Sequence, residues 1–292
     1  MRTRIQYGLT FQEYLEIPAM NQSTLKHGLK SMMQLQHAQG SPPKGETKPM
    51  RVGSGAQSLL ELGPTEFHQH YSVMPELHLS PLNVDAKGNP SKSKNTTACK
   101  LLRSDWLREH GGYTVVSADE YEQILGIVGA VYADPIASVM ARNAKHEVTL
   151  TWQMDGVACK ARVDMLGSGW FADTKTTANV DSVAFGRVFS NFDYGFQLAF
   201  YEAGLSACGW QNPECRVLTV ESMPPHDVAV VPIEHEQMEP YRSQVRRVLA
   251  EYRKALETDQ WPGVARGKPY YELRISNWAM RDEDLLDWEG SD

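Results

Sequence analysis

The 292-residue chain is short of cysteine, of long apolar runs and of positive charge, and each shortage removes a class of function. Its four cysteines, Cys99, Cys159, Cys208 and Cys215, form no C-x-x-C pair, so zinc-finger spacing is absent and free thiols in a reducing compartment are expected. No stretch nears the roughly 20 apolar residues of a membrane span. Met1-Arg2-Thr3-Arg4-Ile5-Gln6-Tyr7 carries no apolar segment of signal-peptide length. The expectation is a cytoplasmic protein with no membrane partner. The formal charge of −7 argues against a basic nucleic-acid coat protein, yet it allows a local cationic groove on an acidic body.

What is present centres on Glu147 to Tyr201. From His146 to Met154 the residues alternate, with Val148, Leu150, Trp152 and Met154 on one face and Glu147, Thr149, Thr151 and Gln153 on the other. Asp155-Gly156 is a hairpin turn, so the next strand pairs antiparallel. That strand sets Val157, Cys159, Ala161, Val163 and Met165 one way and Lys160, Arg162 and Asp164 the other. After the turn at Gly167-Ser168-Gly169, Asp173 and Lys175 share a face because they are two residues apart. A helical run near Asp181–Phe189 follows, and Gln197 and Tyr201, four apart, share one helix face.

Two carboxylates and an ammonium at neighbouring strand ends have a chemical reading. Hard oxygen ligands such as Asp164 and Asp173 suit Mg²⁺, which polarises a phosphoryl oxygen and acidifies water. Lys175 then orients that water and screens the charge that builds on the phosphorus oxygens. Alone, D-x-K is a weak signal that chance supplies often.

Its context is specific. Cys159-Lys160-Ala161-Arg162-Val163-Asp164, Ala172-Asp173-Thr174-Lys175-Thr176-Thr177 and Gln197-x-x-x-Tyr201 together closely resemble the nuclease domain of RecE-type exonucleases. These are relatives of lambda exonuclease and the RecB nuclease domain, within the PD-(D/E)-x-K superfamily. The likeness continues in Gly53-Ser54-Gly55-Ala56-Gln57, Ser117-Ala118-Asp119-Glu120, Glu147-Val148-Thr149-Leu150-Thr151-Trp152, Gln260-Trp261-Pro262 and Asn277-Trp278-Ala279, in the family's order. The resemblance implies a metal-dependent exonuclease that degrades one strand of duplex DNA from its 5′ end. A 3′ overhang is left for a single-strand annealing protein, as in phage recombination. It also implies a phage or prophage protein in a bacterial cytoplasm, forming a homo-oligomeric ring that threads DNA ends. Mg²⁺, with Mn²⁺ as substitute, would be held by Asp164, Asp173 and the backbone carbonyl of Thr174. Lys175 would position the attacking water, and Gln197 and Tyr201 would fix the lysine or the scissile phosphate.

One departure stands out. In that family a His usually occupies the place of Gln57 and ligates metal, whereas Gln57 offers only a neutral amide oxygen. Glu61, one helical turn on, and Glu147 are the candidates to replace it. The four-cysteine iron–sulfur arrangement of some relatives is not matched. Two alternatives stay open: an endonuclease of the same fold, and a catalytically silent DNA-end binding protein.

For architecture, the sequence predicts one α/β domain over 1–292, a restriction-endonuclease-like core whose mixed sheet has about five strands flanked by helices. The site is expected at one sheet edge. Residues 1–20 read as a loose lead-in, 40–50 and 83–97 as flexible loops, and 280–292 as an acidic tail. Leu25, Leu29, Met32, Met33 and Leu35 are expected on one helix. Candidate DNA contacts are Arg162 and the loop lysines Lys87, Lys92 and Lys94.

Overall fold

The computed structural model describes residues 2–41, 45–266 and 268, so the acidic tail, Asn277-Trp278-Ala279 and Pro42-Pro43-Lys44 lie outside the described residues. The chain opens with β1 (Arg4–Gln6) and α1 (Phe11–Glu16), followed by α2 (Gln22–Leu25) and a 3-10 turn over Lys26–Leu29. Residues 1–20 are therefore not a loose lead-in. β1 pairs with Thr149–Thr151, and α1 begins with a capping box in which Glu13 N donates to Thr10 Oγ1 at 3.2 Å and Thr10 N donates to Glu13 Oε2 at 2.8 Å. The apolar stripe from Leu25 to Leu35 is divided among α2, the 3-10 turn and α3 (Met32–Gly40), because Ser31 caps a fresh start for α3, its Oγ accepting from Gln34 N at 3.2 Å. Met33, expected in that stripe, is exposed.

Next comes α4 (Lys48–His70), bent where Gly63 takes φ 73° before Pro64. With α3 running to Gly40 and α4 starting at Lys48, the loop expected over 40–50 is shorter than the sequence suggested. β2 (Tyr71–Met74) lies parallel to β3 (Thr114–Ser117), a small second sheet with no counterpart in the sequence reading, and α5 (Thr97–Glu109) lies between them in the chain. The stretch over 83–97 is closed around buried Asn83 rather than left free: its Nδ2 donates to the carbonyl oxygens of His78, Ser91 and Ser93 at 2.8, 2.7 and 3.1 Å. The expected capping box at Ser117 and Glu120 starts α6 (Ala118–Ala133), and Asp134 then caps α7 (Pro135–Asn143).

The main sheet follows. β4 (Lys145–Met154) turns at Asp155-Gly156, with φ 51° and 80°, into antiparallel β5 (Val157–Leu166), which β6 (Trp170–Thr177) joins antiparallel. Two helices, α8 (Ser182–Asn191) and α9 (Tyr194–Ala207), cross over to β7 (Glu214–Glu221), parallel to β6. β8 (Val228–Ile233) and α10 (His235–Thr258) complete the fold. The sheet is mixed, as expected, with six strands in the order β1-β4-β5-β6-β7-β8.

Two apolar layers cover it. Val148, Leu150, Trp152 and Val163 pack with Phe196 and Phe200 of α9 and Val245 and Leu249 of α10. Ala172, Leu218 and Val220 pack with Ala56 and Leu60 of α4 and Ile124 and Val131 of α6. Each fully buried Val, Leu, Ile or Phe among them contributes about 1.5–3 kcal/mol. α4 lies close on α6 because Gly55 has no Cβ; one built there would be 2.5 Å from Ile124 Cδ1. No single helix among the described residues is long and apolar enough to cross a membrane.

Candidate active site

Two ladders lapse at the same level of the sheet. β4 and β5 pair His146 with Met165 and Val148 with Val163, but omit Glu147 and Asp164, which that register sets opposite each other. β5 and β6 pair Leu166 with Phe171 and Met165 with Ala172; the next pair would be Asp164 with Asp173, and there the pairing stops. Glu147, Asp164 and Asp173 thus occupy one row across three strands. Carboxylates in such a row repel, the more so where burial removes the screening of water, which favours parting the strands over zipping them.

The backbone records the disturbance. Glu147 has φ 51°, an uncommon conformation for a non-glycine residue inside a strand. Alternation slips there: Met165, expected to share a face with Val163, packs instead with the α4 and α6 layer. His146 follows it, with Nε2 2.7 Å from the carbonyl oxygen of Ala141 in α7. The site therefore lies mid-sheet, with β1 beyond β4 on one side and β7 and β8 on the other, rather than at the expected edge.

On the β6 side every contact is specific. Asp173 is 1% exposed; its Oδ1 accepts from Gln197 Nε2 at 2.6 Å and its Oδ2 lies 2.5 Å from Lys175 Nζ. Gln197 Nε2 also donates to Tyr201 OH at 2.8 Å, the two residues being one turn apart on α9. Asp164 Oδ2 accepts from Thr174 N at 2.8 Å, using an amide that stands where β5 and β6 have separated. Thr174 thus contributes a donated hydrogen bond, a role distinct from the carbonyl ligand that the resemblance implies. Burial, reinforced by Asp173, holds the Asp164 carboxyl well above the usual carboxylate range. For Lys175 burial pulls downward, but the carboxylates of Asp173 and Asp164 outweigh it and the ammonium is held above its ordinary value. It stands 4.7 Å from the centroid of the Tyr194 ring.

On the β4 side the charges crowd. Gln57 Nε2 donates to Glu147 Oε1, and Glu147 Oε2 faces Arg162 Nε. Burial raises the Glu147 pKa against the pull of Arg162. Glu61 is pushed to about 7 by burial and then by the Glu147 charge. Arg162 Nη1 is buried without a hydrogen-bond partner. Gln57, Glu147, Arg162, Asp164 and Tyr201 line one cavity of 260 Å³ together with Phe11, Tyr14, Leu15, Asn21, Gln22 and Ser23. The last six were missed in the sequence; the capping box from Thr10 to Glu13 was the available signal for the first three. Lys87, Lys92 and Lys94 are exposed and do not line this cavity.

The fold implies a divalent cation, and the donors suit one: hard carboxylate oxygens, buried and mutually repelling. Among the described residues no three His, Cys, Asp or Glu side chains converge in a ready-made metal site. A cation here would rest on one or two carboxylates, with water and phosphate supplying the rest, as is usual for Mg²⁺.

Fold and site together define a nuclease-like protein of the PD-(D/E)-x-K superfamily, whose nucleases generally depend on divalent metal. The chain belongs to the family described as PDDEXK-like domain of unknown function (DUF3799), whose model matches residues 22–271. A crystal structure from Eubacterium rectale, of a protein provisionally designated an exonuclease, covers 95% of this chain and 100% of its own, with TM-score 0.59. At 12% identity that likeness is one of fold alone. The crystal structure of SSO0001 covers 72% of this chain and 87% of its own at 13% identity, but its TM-score of 0.28 carries no argument. No curated protein matches the chain.

Proposed function

We propose that the protein is a RecE-type, metal-dependent exonuclease that hydrolyses one strand of linear duplex DNA from its 5′ end. The 3′ overhang it leaves would pass to a single-strand annealing partner, in a phage or prophage recombination system working in a bacterial cytoplasm. A homo-oligomeric ring around the DNA belongs to the same proposal. The observation that carries the hydrolytic core of this reading is the connected set Asp173, Lys175, Gln197 and Tyr201 beside Asp164, at the point where two strands part.

Each residue then has a task. Asp164 and Asp173 hold the cation, and when bound, Mg²⁺ or Mn²⁺ polarises the phosphoryl oxygen and acidifies a water. Lys175 stays protonated beside Asp173, orients the attacking water and offsets the negative charge that grows on the phosphorus oxygens. Gln197 fixes the Asp173 carboxylate and ties it to Tyr201. Glu147, opposite Asp164 by register, stands behind the cation site rather than in it: Gln57 donates to its Oε1 and Arg162 faces its Oε2, and its charge helps set the field in which Asp164 works. Arg162, whose guanidinium lines the cavity beside Glu147, supplies the positive charge that attracts the phosphate.

Incubation of linear and covalently closed circular duplex with Mg²⁺ or Mn²⁺ tests this. The expected result is mononucleotide release from the linear form only. Cutting of the circle would mark an endonuclease, and end binding without release a silent binder.

A further inference from the structure

We infer that Phe11 is the platform on which the base next to the cleaved phosphate stacks. This rests on the nuclease reading above and adds where the substrate's base goes.

The helix that carries Phe11 is short, yet it is fastened. Lys160 is 4% exposed, and its ammonium donates to the carbonyl oxygens of Tyr14, Leu15 and Ile17 at 2.9, 2.9 and 2.8 Å. Those carbonyls lie at the C-terminal end of α1, where oxygens carry partial negative charge and spare acceptor capacity, and three of them together compensate the buried ammonium. The same ammonium lies 4.8 Å from the centroid of the Tyr14 ring. α1 is thereby clamped against β5 at the mouth of the cavity.

On this anchored helix Phe11 is 60% exposed, a large flat ring left open to solvent. Its ring packs against Tyr14, with centroids 6.2 Å apart and planes 21° from parallel, and the Arg162 guanidinium lies 5.5 Å from its centroid. Phe11 and Arg162 line the same cavity as Asp164 and Glu147. An exposed aromatic ring and a guanidinium therefore stand side by side in the wall of the cavity that the carboxylates line. A nucleotide carries the matching pair, a flat base joined to an anionic phosphate. Stacking tolerates any sequence because every base has a π-face, which suits an enzyme that must accept each base in turn.

The test uses linear duplexes with 2-aminopurine at either terminal position, bound with Ca²⁺ in place of Mg²⁺. Wild type and Phe11→Tyr should quench the fluorescence of one of these duplexes, while Phe11→Ala and Phe11→Leu should not. With Mg²⁺, Phe11→Ala should raise KM about tenfold and leave kcat nearly unchanged. A terminal nucleotide without its base should erase the difference between Phe11→Ala and wild type. Full quenching and an unchanged KM in Phe11→Ala would overturn the platform while leaving the nuclease reading in place. Quenching by wild type that depends on Phe11, without nucleotide release in Mg²⁺ or Mn²⁺, would keep the platform and remove the nuclease reading.

Discussion

The half of the site built on β6 and α9 and the half built on β4 and α4 meet at Asp164 but satisfy their polar groups differently. On the β6 side both oxygens of Asp173 face donors, and Gln197 is tied to both Asp173 and Tyr201. On the β4 side Glu147 sits in a left-handed conformation, Arg162 keeps a buried N–H without a partner, and Glu61 is pushed to about 7. A buried polar group without a partner costs about 1–3 kcal/mol, so the second arrangement is held in a state that a ligand would improve. The β6 half is preorganised by the protein's own contacts, whereas the β4 half leaves a buried polar group unsatisfied.

That contrast can be broken in graded steps. Asp173→Asn removes the charge that both Lys175 and the cation require, and nucleotide release from linear duplex should fall below detection while thermal melting still shows a folded protein. Lys175→Ala should lower kcat by about 10²–10³-fold, with DNA-end binding in a gel-shift assay retained, because the lysine acts on developing charge more than on ground-state binding. Gln57→Ala frees Glu147 from its donor without touching the β6 half. The Mg²⁺ concentration for half-maximal rate should rise about tenfold in that variant, with the rate at saturating Mg²⁺ largely restored. The smallest effect lies outside both halves: Ser117→Ala deletes the α6 cap and should cost about 1 kcal/mol in denaturant melts, with nuclease rate unchanged.

The residues that sequence made legible are those whose relation is local. Asp173 and Lys175 follow from the two-residue period of a strand, and Gln197 and Tyr201 from the four-residue spacing of a helix. The row of Glu147, Asp164 and Asp173 depends on register between strands, and the hairpin turn at Asp155-Gly156 fixed only part of it. Alternation placed Met165 with Val163; the left-handed Glu147 opposite Asp164 accompanies a slip in that pattern which no residue type announces. The mid-sheet position was hidden because β1 is a three-residue strand with no periodicity to read. α1 was hidden for a similar reason: its clamp, Lys160, lies 143 residues beyond Ile17 in the chain. Composition misled at 83–97, where polar residues suggested freedom but the two amide hydrogens of one buried asparagine are shared among three carbonyls.

The central claim is that Asp164, Asp173 and Lys175 form a hydrolytic centre around a divalent cation. Its most direct test is nucleotide release from end-labelled linear duplex as Mg²⁺ or Mn²⁺ is titrated into metal-free protein, with Lys175→Ala run alongside. The account predicts release that is absent in EDTA, rises with the metal and falls about 10²–10³-fold in the variant. Release that persists in EDTA, or that is equal in wild type and Lys175→Ala, would contradict it.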